Sequence, residues 1–271
     1  MQDTVVLVGC GNMGFAMLKG WLDSGIVKAG DVHVVEPTDA LRERAAGAGV
    51  HAHADADALP AGLKPRMVLV AVKPQVMAKV LPAYKRFAPA ATFVSVAAGI
   101  PMALFETHLG KDAAVIRCMP NTPAAIGKGM LVTCRNANVT AENEAFVDRL
   151  LATSGKVASV DDEALMDAVT AVSGSGPAYV FHFIEALTDA GVAAGLPRET
   201  AGLLAMQTVM GAGALADASP DSPTKLREQV TSPNGTTAAA LDVLMGGDRL
   251  KKLVAEAVEA ARKRSVELGK S

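Results

Sequence analysis

A chain of 271 residues, half of them apolar, is long enough for one large or two medium domains with a substantial core. Its formal net charge of -2, with acidic and basic residues interspersed, offers no basic face to nucleic acid or to an anionic membrane, so the expected ligand is small. Cys10, Cys118 and Cys134 are widely spaced and fit no disulfide or metal framework, which points to free thiols in a reducing cytoplasm.

The first apolar run, "TVVLVG", has no basic segment before it and reads as a strand, not a leader. It opens an alternation of short β-rich runs ("VHVVE", "MVLVAV", "TFVSV", "AVIRC" and finally "GKVASV") with helical stretches such as "NMGFAMLKGWLDSG", which Gly25 ends. The strands are almost uniformly apolar, as strands covered on both faces are. Residues 1–160 are therefore expected to form a mostly parallel, doubly wound α/β sheet.

From Asp161 onward only helices are expected, at about 161–172, 177–194, 198–217, 223–230, 235–246 and 248–268, separated by Gly-Pro, Leu-Pro, Ser-Pro and Gly-Gly turn chemistry. Residues 161–271 then make an all-α second domain. Its helices carry Ala, Leu, Val and Met on more than one face, more than such a domain can hide by itself, so an oligomer is expected. The longest weakly polar run, 201–216, falls short of the roughly 18 residues that span a bilayer.

The stretch "VVLVGCGNMGFAML" places Gly9, Gly11 and Gly14 directly after a strand and at the opening of a helix. In that context Gly9 permits the tight turn, Gly11 leaves room for a pyrophosphate, and Gly14 lets helix and strand pack closely, with Asn12 and Met13 beginning the helix whose free N–H groups face the anion. This is a dinucleotide-binding fingerprint. Glu36 follows Gly14 by 22 residues, where a carboxylate accepts ribose hydroxyls and disfavours a 2′-phosphate, yet Arg42 and Arg44 lie close enough to offset it. The choice between NADH and NADPH stays open. Two further segments end strands at the edge where such sheets bind ligands: "AVKPQ", with Val72, Lys73 and Pro74, and "SVAAGI", with Ala97, Ala98 and Gly99.

Three polar stretches contain no His, Asp, Glu, Lys, Arg or Cys: "MPNTPAA" (119–125), "SGSGPAY" (173–179) and "TSPNGTT" (231–237). With "GCGNMG", "AVKPQ" and "SVAAGI" they occur in an order that resembles the Δ1-pyrroline-5-carboxylate reductase family over nearly the whole chain. The resemblance implies an N-terminal Rossmann domain, a C-terminal helical domain that interlocks with its twin in a homodimer, frequent assembly of five dimers into a decamer, and NADPH or NADH as reductant. Two departures stand out: Asn234-Gly235 replaces the usual Gly-Gly, and "SPDSP" (219–223) replaces a segment resembling "TGEHP".

Reduction of a cyclic imine explains the missing ionisable groups, because the ring nitrogen can take its proton from solvent and the protein has only to position two flat rings and bind a carboxylate. Ser232 is expected to cap a helix whose first N–H groups, at Gly235, Thr236 and Thr237, receive that carboxylate. The resemblance puts the Thr237 hydroxyl at the ring nitrogen, where it can donate or accept. Ser173, Gly174 and Ser175 are expected to line the pocket, and Asn121 to orient the nicotinamide amide or the ribose.

His51 and His53 alternate on one strand face without a third ligand, so no metal is expected. His182 reads as a packed or interface residue. A β-hydroxyacid dehydrogenase would need a general base, usually a lysine, yet Lys156 and Lys225 lie outside the small-residue motifs. A catalytically silent dinucleotide sensor would have no use for a prepared anion site at 232–237.

Overall fold

The computed structural model describes residues 3–269. Eight strands form one sheet: β1 (Val5–Val8), β2 (Val32–Val35), β3 (His51–His53), β4 (Met67–Val70), β5 (Thr92–Ser95), β6 (Ala114–Met119), β7 (Gly129–Arg135) and β8 (Gly155–Ser159). Their spatial order is β3-β2-β1-β4-β5-β6-β7-β8, and the first six are parallel. β7 runs antiparallel to β6, and β8 parallel to β7. The helices are α1 (Asn12–Asp23), α2 (Asp39–Gly47), α3 (Met77–Val80), α4 (Met102–Leu109), α5 (Ala141–Ala152), α6 (Met166–Val169), α7 (Gly176–Ala193), α8 (Arg198–Ala218), α9 (Pro223–Gln229), α10 (Thr236–Met245) and α11 (Arg249–Leu268).

β1, β2, β4 and β5 are buried at every position, which is why alternation is missing from their sequences. Two apolar layers flank the sheet. One gathers Met17, Leu18, Trp21, Phe146 and Leu150 from α1 and α5; the other gathers Met77, Leu81, Phe93 and Phe105. The antiparallel strand β7, "GMLVTCR", is absent from the strands expected of the sequence. A Cβ on Gly155 would lie 1.9 Å from the Gly129 carbonyl oxygen, so β8 joins β7 by a glycine-to-glycine approach.

The division of the chain differs from the expected boundary at 160. That position marks the end of the sheet, but the first compact unit runs on through Ser175 and recovers the residues from Ala261 onward; the second comprises Gly176–Ala260. Side-chain ties explain the extension. Arg117 on β6 pairs with Glu163 at 2.7 Å, the same carboxylate takes the Met102 N–H at the start of α4, and Ser265 donates to Asp167 at 2.6 Å. The expected helix at 161–172 is also broken, into a 3-10 turn at Glu163–Leu165, α6, and a π turn at Thr170–Gly174. In the second unit α7 and α10 bury no residue, while Phe181, Leu203, Met210, Val243 and Leu253 are among many large apolar side chains left exposed.

His33 of β2 joins the two histidines of β3: its Nδ1 lies 3.0 Å from Nε2 of His53, and its ring stacks on His51. Among the described residues no group of three or more His, Cys, Asp or Glu can hold a metal ion. Burial and the neighbouring imidazoles push His33 down to about 4, and His53 is lowered for the same reasons. Because the unfolded chain binds these protons at higher pH, the stability they contribute is present above about pH 6.5 and is lost as the pH falls toward 4. Urea midpoints should therefore decline over that window, and His33→Asn should flatten the decline; an identical pH slope in the variant would contradict it.

Candidate active site

The carboxyl ends of the parallel strands form one edge, and it collects the segments singled out in the sequence. Glu36 follows β2, Gly9 follows β1, Val72 and Lys73 follow β4, Ala97 and Ala98 follow β5, and Asn121 follows β6. The chain reverses direction across the sheet between β1 and β4, and that switch point is where an open α/β sheet leaves a crevice.

The three glycines differ in what the protein requires of them. Gly9 has φ +86°, and a Cβ there would come within 2.8 Å of the Ala71 carbonyl oxygen. A Cβ on Gly14 would lie 2.4 Å from the Gly9 carbonyl oxygen. Both are demanded by the turn itself. Gly11 is not: its φ is −64°, and a Cβ there would meet nothing within 4 Å. Space kept beside a helix N-terminus that lacks a side-chain cap suits a pyrophosphate, with Asn12 and Met13 opening the helix.

Glu36 is buried. Its Oε2 accepts the Cys10 N–H at 2.7 Å and its Oε1 the Thr38 N–H at 2.9 Å, one donor on each oxygen, which fixes the carboxylate at the end of β2 beside the glycine turn. Arg42 is held by the carbonyls of Glu36 and Pro37 and by Asp39. Arg44, read from sequence as a charge that offsets Glu36, reaches the carbonyls of Cys10 and Gly11 at 2.6 and 3.2 Å and lies over the Phe15 ring. Nothing in the sequence signals that contact, which joins residues 34 positions apart. Cys10 is buried between them, and desolvation raises its thiol above the usual range, as for a small core residue and not a nucleophile.

Gly99 closes the segment after β5. It has φ +75°, and the atoms nearest a Cβ there belong to Gly269 and Leu268, so its small size serves packing against the chain's own C-terminal segment. Lys73 is exposed at the head of the 3-10 turn begun by Pro74.

Asn121 is likewise committed. Its Oδ1 accepts the Met130 N–H at 2.9 Å, and its Nδ2 donates to the Ser173 carbonyl at 3.2 Å, so the amide ties two segments together. It thereby holds the π turn, closed by the Ser175 N–H to the Thr170 carbonyl at 2.8 Å. Gly174 packs on Met119, whose Cε would lie 2.3 Å from an added Cβ. Ser173, Gly174 and Ser175 are thus seated on the segment that follows β6. Asn121→Ala should cost about 1–2 kcal/mol of stability by leaving the Met130 N–H unpaired; an unchanged urea midpoint would refute the tie.

Ser232, Gly235, Thr236 and Thr237 lie in the helical unit. Ser232 is not the cap expected of it. The Gly235 N–H donates to the Ser232 carbonyl at 3.1 Å, Pro233 and Asn234 fill the corners of the turn, and Gly235 occupies the N-cap of α10 without any side-chain cap. Asn234 takes φ +57°, the third-position conformation of a turn with proline second, so the departure from Gly-Gly falls where the backbone is left-handed. A Cβ on Gly235 would lie 2.4 Å from Ser232 Oγ. The N–H groups of Thr236, Thr237 and Ala238 open the first turn of α10, where a helix supplies no acceptor of its own. The other departure, "SPDSP", forms an ordinary helix start, with Ser222 capping α9 at the Lys225 N–H.

The remaining features are structural or exposed. His182 faces outward beside Glu185, Lys225 pairs with Glu228 on exposed α9, and Lys156 sits on β8.

A strand order of 3-2-1-4-5-6 with a glycine turn at the switch point defines a Rossmann-type dinucleotide-binding protein. Residues 4–99 match the family model described as NADP oxidoreductase, coenzyme F420-dependent, and residues 163–268 match the one described as pyrroline-5-carboxylate reductase dimerisation. The chain belongs to the pyrroline-5-carboxylate reductase family. It is 41% identical to the pyrroline-5-carboxylate reductase of Pseudomonas aeruginosa over 97% of this chain and 96% of that one. Among solved structures, a pyrroline-5-carboxylate reductase from Coxiella burnetii superposes with a TM-score of 0.94 at 32% identity, covering all of both chains. The pyrroline carboxylate reductase of Plasmodium falciparum with NADP bound gives 0.83 at 30% identity over 99% of each.

Proposed function

We propose that the chain reduces the C=N bond of Δ1-pyrroline-5-carboxylate to give L-proline, a step of proline biosynthesis, with NADPH or NADH supplying the hydride. One observation carries the assignment of roles: the first turn of α10 presents N–H groups with no side-chain cap, next to the Thr237 hydroxyl, in a segment free of ionisable side chains. The substrate carboxylate docks at the Gly235 N-cap on the amides of Thr236 and Thr237, helped by the positive end of the helix dipole. The Thr237 hydroxyl holds the ring nitrogen, and Ser173, Gly174 and Ser175 line the pocket. Main-chain amides from Gly11 to Met13 receive the pyrophosphate. Gly9 and Gly14 shape that turn, and the segments holding Val72, Lys73, Pro74, Ala97 and Ala98 border the cofactor.

No acid is asked of the protein. Its contribution is to orient two rings and exclude water, and solvent supplies the proton on nitrogen. The same reading places the exposed apolar side chains of α7, α8, α10 and α11 in a homodimer interface, with decamers as a further level of assembly, in the cytoplasm. Absorbance at the nicotinamide band tests the activity: oxidation of NADH or NADPH on adding pyrroline-5-carboxylate is expected, and no oxidation of either would defeat the assignment.

A further inference from the structure

We infer that Glu36 and Arg44 are positioning residues that together set the glycine turn, and that Glu36 is not a selective reader of the adenosine ribose. The inference rests on the dinucleotide-binding reading of that turn. Three elements meet at Cys10. From the end of β2, the Glu36 carboxylate, only 5% exposed, takes the Cys10 N–H with one oxygen and the Thr38 N–H with the other. From α2, the Arg44 guanidinium takes the carbonyls of Cys10 and Gly11 while lying 4.2 Å above the ring of Phe15 on α1. The two charges thus hold opposite ends of one residue's backbone, each through charge-assisted hydrogen bonds, the stronger kind.

Two consequences follow. Carbonyl oxygens engaged by a guanidinium are not turned toward an incoming phosphate, so the anion meets amides and not lone pairs. A carboxylate already accepting two backbone donors also presents less of its charge outward, which weakens its discrimination against a 2′-phosphate. Loss of either residue should loosen the turn for both nicotinamide dinucleotides alike.

The test is direct titration of NADH and of NADPH, followed by nicotinamide fluorescence, into full-length protein and its Glu36→Gln and Arg44→Met variants. It needs no imine substrate, so its outcome is independent of the reductase assignment. Glutamine turns an N–H toward one of the two donors, and methionine keeps the apolar stem over Phe15. Each variant should raise both Kd values by about tenfold while the NADH to NADPH ratio stays within about twofold of the parent, as expected for the loss of charge-assisted bonds on a shared element. A ratio shifted by more than about fivefold in either variant would make that residue a direct reader of the ribose or its phosphate and overturn the inference. So would a lowered melting temperature with unchanged Kd values, the signature of a structural role alone. If Glu36→Gln does not fold, Arg44→Met is judged by the same two criteria.

Discussion

Alanine at Gly14 should weaken dinucleotide binding by roughly two orders of magnitude and lower the melting temperature by about 5–10 °C, as expected for overpacking that costs about 3 kcal/mol. The added Cβ would stand 2.4 Å from the Gly9 carbonyl oxygen, a backbone atom at the sharpest point of the turn, so α1 has to move away from β1 and carry the anion-binding amides with it. Gly11→Ala is the informative contrast. Its Cβ meets nothing within 4 Å and its φ of −64° suits any residue, so folding should be nearly untouched. Binding should still fall about tenfold to a hundredfold, because the methyl group fills the space held for the pyrophosphate. Circular dichroism melts and cofactor titrations on both variants decide the point, and full affinity in Gly11→Ala would mean that the pyrophosphate lies elsewhere.

Thr237→Ala should reduce kcat/KM by about tenfold to a hundredfold, the loss of one buried hydrogen bond of about 1–3 kcal/mol made to the reacting ring. Thr237 sits one residue into α10, and the cap ahead of it is Gly235, whose backbone and not its side chain shapes the turn. The variant therefore keeps both the helix and the amides, and cofactor Kd should not change. Thr237→Ser retains the hydroxyl and should recover most of the activity. An alanine variant with parental kcat/KM in steady-state assays would remove the hydroxyl from the reaction.

The parts of this architecture that were legible in the sequence are those whose cause is local. The uniform apolarity of β1, β2, β4 and β5 follows from burial on both faces, and Gly9, Gly11 and Gly14 carry their spacing in the chain itself. The limits of α7, α8 and α9 were legible because proline and serine mark them. What was misread depends on partners distant in sequence. Ser232 has the chemistry of a cap, but Pro233 and Asn234 turn the chain so that its carbonyl, not its hydroxyl, meets the Gly235 N–H. The contacts that fix Asn121 and Glu36 were not legible for the same reason, since Ser173, Met130 and Cys10 come to them from other elements. β7 was missed because its neighbours and not its composition make it a strand.

The roles proposed here require a carboxylate held by main-chain amides at the tip of α10. A crystal structure with L-proline and an oxidised nicotinamide dinucleotide bound would show it. Proline carboxylate oxygens are expected within hydrogen-bond distance of the Thr236 and Thr237 amides, with the ring nitrogen on the Thr237 hydroxyl; a carboxylate paired instead with a lysine or arginine side chain, away from that helix tip, would overturn the assignment.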